Sequence, residues 1–262
     1  MNQELYTDKF SQELTKRAIE ETLGFANDTF LQFVNSKLIN YVLIKHKTGL
    51  RADVKPRVMN NWITSGAVII SNEDKGKINR FNIAENIWLD IFIDLKSYGL
   101  SLEKLKYIRE QLNIGVKNFT YLKLNILLSV FGAENYMEVF SNGKISFINK
   151  ELSDSLTRKK GAKISMSLNF TTYVKEGFNN FFNSKEFDVL LDYNDSKKLK
   201  LLFCLKTNFY KKLSIKLSDG DVRLISDTNE LLSNQNLLEK ILKMEFESIR
   251  VDIDDDVYDI IK

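Results

Sequence analysis

Apolar residues recur every three to four positions through much of the first half of the chain. Between residues 9 and 45 this spacing predicts two helices that are separated near Asn27, with Asp28 as an N-cap. From residue 53 to 112 the pattern predicts shorter helices around a polar, turn-rich insert. The helix expected within residues 118–140 is too apolar for an exposed surface, so we expect it to be buried between domains or in a dimer interface.

The pattern changes in the last hundred residues, where short apolar runs and alternating segments indicate strands. Strands are predicted at residues 163–170, 187–193, 199–206 and 213–217. Asp219 and Gly220 predict a hairpin turn after the last of these strands. Helical spacing returns at residues 171–184 and 229–249. Mixed elements of this kind predict a C-terminal α+β domain with a mostly antiparallel sheet.

The segment from Asp53 to Ile69 has the clearest local signals. Asp53 is predicted to cap a helix whose first turn contains Pro56, the one proline of the chain, and Gly66 is predicted to end it. The residues expected on its buried face are Val58, Met59, Trp62 and Ile63. The residues expected on its other faces are Lys55, Arg57, Asn60, Asn61 and Thr64.

The insert that follows carries a basic turn between two short strand-like pieces within residues 68–83. Its cations are Lys75, Lys77 and Arg80. Asn82 and Ser101 are then predicted to cap two further helices. A helix, a basic β-turn and two more helices form the outline of a winged helix-turn-helix, with Phe81 and Trp88 in its core.

Three blocks of this region resemble the MerR family of DNA-binding proteins. Val54-Lys55-Pro56-Arg57-Val58-Met59-Asn60-Asn61-Trp62, followed by Ser65-Gly66-Ala67-Val68-Ile69, is similar to its recognition helix. Gly76-Lys77-Ile78-Asn79-Arg80-Phe81-Asn82 resembles its wing, and residues 95–105 (LKSYGLSLEKL) resemble its following helix pair. The sequence departs from the family at Asp53, Val58 and Asn60. The resemblance implies a winged helix that inserts one helix in the major groove and binds DNA as a dimer.

The charge distribution agrees with this expectation. Between Lys45 and Arg80 there are eight basic and three acidic residues, a local net charge of +5 in a chain whose total is +3. Arg57, Asn60 and Asn61 suit the reading of base edges, since Arg pairs with guanine and Asn with adenine. The predicted DNA-binding residues are Lys55, Arg57, Asn60, Asn61, Thr64, Lys75, Lys77 and Arg80.

These predictions give an α+β fold with four regions. They are N-terminal helices (1–46), a MerR-like winged helix (47–113), a buried helix with a linker (114–160) and the C-terminal α+β domain (161–262). The last boundary is placed in the polar and charged residues 153–163.

The residue inventory excludes several kinds of chemistry. One cysteine, Cys204, and one histidine, His46, are too few for a Cys/His zinc cluster, a redox pair or an intrachain disulfide. We expect Cys204 to be a buried apolar residue and His46 to lie at the surface or to face DNA. No segment is long and apolar enough to span a membrane, and no signal peptide is recognised, so a cytoplasmic, bacterial, non-enzymatic protein without a cofactor is expected.

Two charged segments leave alternatives open. Residues 196–216 contain seven lysines and no acid, which fits either a second nucleic-acid surface or the charged edges of a sheet. The aspartates at 252, 254, 255, 256 and 259 fit either a solvated acidic tail or, in a metal-dependent nuclease, an Mg²⁺ site. The leading expectation is a sequence-specific regulator of transcription that binds double-stranded DNA as a homodimer. Replication, partition or excision of a mobile element is the alternative role.

Overall fold

The computed structural model describes residues 3–49, 53–69, 80–116, 119–157, 164–253 and 256–261. Helices and antiparallel sheets share this part of the chain, which confirms the α+β class. The chain divides into two compact units. Unit 1 comprises residues 1–26 and 34–177, and unit 2 comprises residues 27–33 and 178–262.

The helices of unit 1 are α1 (Gln3–Phe25), α3 (Lys37–Asn40), α4 (Pro56–Thr64), α5 (Ile83–Ser97), α6 (Leu102–Leu112), α7 (Tyr121–Val130), α8 (Lys150–Thr157) and α9 (Phe170–Gly177). A π-helical turn, Tyr41–Lys45, continues α3. The strands are β1 (Lys47–Gly49), β2 (Arg80–Asn82), β3 (Gly115–Val116), β4 (Phe119–Thr120), β5 (Asn135–Phe140), β6 (Ile145–Asn149) and β7 (Ile164–Asn169).

A three-stranded antiparallel sheet of order β6-β5-β7 organises the second half of unit 1. Helix α1 packs on this sheet through Leu14 and Ala18, which join a buried cluster with Phe140 and Ile148. Strand β7 pairs with β5 from Tyr136↔Asn169 onward, so residues 164–169 belong to unit 1, whereas the sequence places the domain boundary before them, at 153–163.

Helix α7 confirms the prediction of a buried helix, since nine of its ten residues are buried. Its surroundings differ from the prediction, because it packs within unit 1 against α5, α6 and α9.

Unit 2 contains α2 (Asp28–Val34, up to Phe33), α10 (Ser196–Thr207), α11 (Thr228–Ser233), α12 (Gln235–Leu242), β8 (Lys212–Leu217), β9 (Val222–Ile225), β10 (Phe246–Ile253) and β11 (Asp256–Ile261). The strands form one antiparallel sheet of order β11-β10-β8-β9.

The predicted hairpin at Gly220 is confirmed, because β8 and β9 pair across it and Gly220 has a φ of +86°. The break near Asn27 is also confirmed, but the Oδ1 of Asn27, not Asp28, accepts the capping hydrogen bond from the N–H of Phe30.

Three predictions in unit 2 are wrong. Residues 199–206, predicted as a strand, lie in helix α10. All of their side chains except Lys200 are buried, so this part of the helix has no polar face and its sequence lacks helical periodicity. Residues 185–190 form a 3-10 turn in place of the predicted strand at 187–193. The helix predicted to reach residue 249 ends at Leu242, and Met244, at a φ of +59°, precedes strand β10.

Candidate nucleic-acid interface

Helix α4 begins one residue after Lys55, which occupies the N-cap position without a side-chain capping bond. Pro56 stands at the first helical position, where its missing N–H costs nothing. The prediction that Asp53 caps this helix is therefore wrong: Pro56 sets the start, and Asp53 lies two residues before the cap. Lys55, Arg57 and Asp53 are all exposed.

The C-terminal end of α4 is closed by a Schellman turn. The N–H of Ala67 donates to the carbonyl of Trp62, and the N–H of Gly66 donates to the carbonyl of Ile63. Gly66 adopts a φ of +75°, as the sequence-based role of a terminating glycine requires. Two long-range hydrogen bonds hold the next carbonyls: Arg109 Nη1 donates to Gly66 O at 2.5 Å, and Trp88 Nε1 donates to Ala67 O at 3.3 Å.

Two side chains anchor α4 to the rest of unit 1. Met59 is 1% exposed and Trp62 is 8% exposed, and the Trp62 ring lies 4.6 Å from that of Phe92 on α5. The assignment of Trp62, Phe81 and Trp88 to the core is confirmed. Val58, in contrast, is 39% exposed, so its predicted place on the buried face is wrong. It lies about 100° around the helix from Met59, outside the narrow stripe that Met59 and Trp62 define.

The opposite face of α4 is polar throughout. Arg57, Asn60, Asn61 and Thr64 have the spacing i, i+3, i+4 and i+7, and all four are exposed. This spacing places them in one stripe along the helix, directly away from the side on which Met59 and Trp62 are buried. The structure thus brings together four of the predicted site residues in the arrangement that a groove-reading helix needs.

A short antiparallel ribbon lies beside α4 in sequence and supplies a fifth predicted residue. Strand β2 pairs with β1, so that Arg80 stands opposite Gly49 and Phe81 opposite Thr48. Of the two strand-like pieces predicted within residues 68–83, the second contains β2, whereas Val68 and Ile69, the described residues of the first, are not in a strand. Arg80 is exposed at the start of β2. Lys75 and Lys77 lie outside the described residues.

The electrostatics around α4 remain positive in the described residues. Between positions 45 and 80 these include five cations and one acid, Asp53, a local net charge of +4. The cations are Lys45, Lys47, Lys55, Arg57 and Arg80. Such a surface attracts phosphate, whereas the amide groups of Asn60 and Asn61 can both donate to and accept from base edges.

Three of the seven lysines in the lysine-rich segment of unit 2 form ion pairs with nearby carboxylates. Lys206 is 3% exposed and its Nζ lies 2.6 Å from a carboxylate oxygen of Asp188. Lys198 pairs with Asp192 at 3.7 Å, and Lys216 pairs with Glu247. Helix α10 carries four of the seven lysines, and strand β8 carries two. These ion pairs favour the structural interpretation over a second nucleic-acid surface.

Of the C-terminal aspartates, Asp252 lies in β10, and Asp256 and Asp259 lie in β11. The carboxylate of Asp259 accepts a hydrogen bond from Arg250 Nε at 2.9 Å, directly across the hairpin. Asp254 and Asp255 lie outside the described residues. Among the residues that the structure does describe, no three His, Cys, Asp or Glu side chains are grouped as a metal site would require.

The one cysteine and the one histidine of the chain, Cys204 and His46, are both packed against other parts of the fold. Cys204 is 1% exposed in α10, and its burial raises the pKa of its thiol to about 12, so the reactive thiolate is disfavoured. His46 is half-buried with its ring 6.2 Å from that of Tyr41.

Sequence reasoning missed Arg109 and Trp88 as residues that position α4. Each belongs to an element more than 20 positions further along the chain, so only the three-dimensional structure relates it to Gly66 or Ala67. Within the described residues no helix is both long and apolar enough to cross a membrane. Comparison with models of protein families, with curated protein sequences and with solved structures finds no match for this chain.

Proposed function

We propose that this protein is a sequence-specific, non-enzymatic double-stranded DNA-binding protein that regulates transcription. The observation that carries the proposal is the exposed stripe of Arg57, Asn60, Asn61 and Thr64 on a helix that is anchored by Met59 and Trp62. A helix presented in this way can enter the major groove while its opposite face stays in the protein core.

The neighbouring elements support the same role. Lys55 and Arg80 are exposed cations just before α4 and at the start of β2, where they can contact phosphates on either side of the groove. Helices α5 and α6 follow the ribbon in the order that a winged helix-turn-helix of the MerR type would have. On paired half-sites the protein would bind as a homodimer. The same interface would serve a role in replication, partition or excision of a mobile element.

The first experiment is selection from random-sequence duplex DNA with the full chain, at two salt concentrations and with Mg²⁺ present. The proposal predicts that one motif is enriched, that its affinity falls as salt rises, and that the DNA is not cut. Cleavage that needs Mg²⁺ would favour the nuclease alternative. Absence of binding at low salt would contradict the proposal.

Single substitutions then separate base reading from phosphate contact. Arg57→Ala should lose about 1–3 kcal/mol of binding free energy on the selected duplex and much less on a scrambled duplex. Arg80→Ala should weaken both duplexes alike and should reduce the salt dependence by about one phosphate contact. Arg17→Ala, which removes an exposed arginine of α1, is the matched control and should bind both duplexes like the native chain.

A further inference from the structure

A cleft of about 520 Å³ lies within unit 1 beside the end of α4. Its walls are mainly apolar and come from the segment after α4, from β2 and from helices α5, α6 and α7; they include Val68, Phe81, Ala84, Trp88, Leu89 and Leu122. Ile44 and Ile69 also line it and are 45% and 52% exposed, so two apolar side chains face water at this cleft. Its size and lining are those of a site for a small organic molecule.

Most polar groups in the walls already serve the fold. Asn82 and Glu85 form the capping box of α5, with hydrogen bonds of 2.8 and 2.9 Å, and the hydroxyl of Thr120 caps α7. Asn113 donates a hydrogen bond to the carbonyl of Arg109. These groups define the shape of the cleft, and their hydrogen bonds are directed to the backbone.

Arg109 differs from the other polar residues of the walls. Its Nη1 donates to Gly66 O, but its Nε is buried and has no acceptor in the part of the chain that the structure describes. A buried donor without an acceptor is costly, and burial of the guanidinium also lowers the pKa of Arg109 because its charge is desolvated. The negative charge of Glu110 opposes that effect only in part, and the Glu110 side chain is exposed to water. Arg109 as a whole is half-buried and lines the cleft, so an anionic oxygen in the cleft beside its guanidinium would supply a counter-charge.

We propose that this cleft binds a small molecule with an apolar body and a carboxylate head, the head beside Arg109, and that its occupancy acts on the end of α4. The second part follows from two hydrogen bonds. Arg109 and Trp88 both line the cleft and hold the carbonyls of Gly66 and Ala67, the residues that close α4. A ligand that contacts these two side chains therefore favours one position of the helix end over others.

The binding part is tested by Trp88 fluorescence in the Trp62→Phe chain, in which Trp88 is the remaining tryptophan. The probes are decanoate, decanol and decylamine, which share an apolar chain and differ in the charge of the head group. Decanoate is expected to bind at least tenfold more tightly than decanol or decylamine. Equal binding of the three probes, tightest binding of decylamine, or no binding of decanoate would overturn the proposal.

Two variants locate the site. Arg109→Gln should reduce the advantage of decanoate over decanol to less than about threefold, whereas Ala84→Phe should weaken both probes by filling the cleft. Lys104→Gln, which removes an exposed cation of α6 outside the cleft walls, should leave the binding of all three probes unchanged. If Lys104→Gln removed the preference for decanoate as fully as Arg109→Gln does, general surface charge and not the cleft would explain it.

The action on α4 is tested by amide hydrogen exchange at Gly66 and Ala67, which requires no DNA. Saturating decanoate should change the exchange rates of these two amides at least threefold, and unchanged rates would overturn this part. The expected effect of the ligand on DNA binding rests on the proposed function. If that function holds, decanoate should shift the dissociation constant of the selected duplex at least threefold. A chain that binds decanoate but no duplex would contradict the proposed function and leave the ligand site standing.

Discussion

The ring of Trp62 packs at 4.6 Å from the ring of Phe92, which joins the buried side of α4 to α5. Phe92 is fully buried and also contacts Trp88, with a centroid distance of 5.8 Å. The polar stripe of α4 is therefore held outward by aromatic packing on its other side. If the proposed function holds, folding depends on the buried side of α4 and its contacts with α5, and DNA reading depends on the exposed stripe of α4.

This separation predicts a large loss of stability when the α5 partner of Trp62 is truncated and almost none when a residue of the exposed stripe is truncated. Phe92→Ala should lower the free energy of unfolding by about 3–5 kcal/mol, because it removes a buried ring and leaves a cavity. Arg57→Ala should change it by less than about 0.5 kcal/mol, since its side chain is exposed. Urea unfolding of both variants measures the two values. A loss of stability in Arg57→Ala comparable to that of Phe92→Ala would contradict the separation.

Gly66 offers a second test, because its backbone is left-handed. A Cβ at this position would meet the Lys106 side chain at an ordinary 3.7 Å, so the cost of Gly66→Ala is conformational and should be about 1 kcal/mol. Gly115→Ala is the control, since a Cβ there meets nothing within 4 Å and its φ is not positive. Thermal unfolding should show a lower melting temperature for Gly66→Ala alone. Equal melting temperatures would remove the strain argument.

Glu138 predicts a pH dependence of stability. Its Oε1 accepts hydrogen bonds from Ser153 and Ser167, its Oε2 has no partner in the described structure, and burial raises the pKa of its carboxyl group. The folded state thus binds this proton more tightly than the unfolded state, so the stability that it contributes is complete below the unfolded pKa and is lost as pH rises through the folded pKa.

Glu138→Gln removes this titration. The variant should gain stability relative to the native chain as pH rises above about 4, because the unfolded native chain then releases the Glu138 proton more readily than the folded chain does, and glutamine has no such proton. Urea unfolding across that range measures the difference. Glu151→Gln, at an exposed position of α8, is the control and should give a difference that does not vary with pH. If the difference in unfolding free energy between Glu138→Gln and the native chain did not change with pH, burial would not be raising the pKa of Glu138.

Lys123 predicts a pH dependence at the alkaline end. It is 6% exposed, donates from Nζ to Asn40 Oδ1 at 2.7 Å, and burial lowers its pKa from 10.5 to about 8. The unfolded state therefore binds this proton more tightly, and stability should rise as pH increases from about 8 to 10.5. Below pH 8 the cost of the buried charge is fully present.

The variant Lys123→Gln keeps a donor for Asn40 and removes the charge. Its stability relative to the native chain should be highest below pH 8 and should decline toward pH 10.5. Denaturant unfolding at pH 7, 8, 9 and 10 measures this trend, with the exposed Lys16→Gln as the control. If the stability of Lys123→Gln relative to the native chain instead increased with pH, the pKa of Lys123 would not be lowered by burial.

Local signals made α4, α5 and α6 predictable from the sequence. Pro56 and Gly66 mark the limits of α4, and the side chains of Asn82 and Ser101 accept the expected capping hydrogen bonds. These signals act within four residues, so they can be read without knowledge of the fold. The exposed stripe of α4 followed from helical spacing in the same way.

Features that depend on distant contacts could not be read in this way. Strand β1 is three residues long and has its partner more than 30 positions away, which leaves little pattern in the sequence. Helix α10 is buried on nearly all sides, and its apolar run resembles that of a strand. The contacts of Arg109 and Trp88 with the end of α4 join residues whose proximity is set by tertiary packing alone.

The most direct test of the central proposal is the ratio of affinities for the selected duplex and for a scrambled duplex, measured for the native chain and for Arg57→Ala at one salt concentration. If α4 reads bases, this ratio should fall by roughly fivefold to 150-fold in Arg57→Ala, which corresponds to about 1–3 kcal/mol, with Arg17→Ala unchanged. Equal losses on both duplexes, or no loss on either, would contradict base reading by α4.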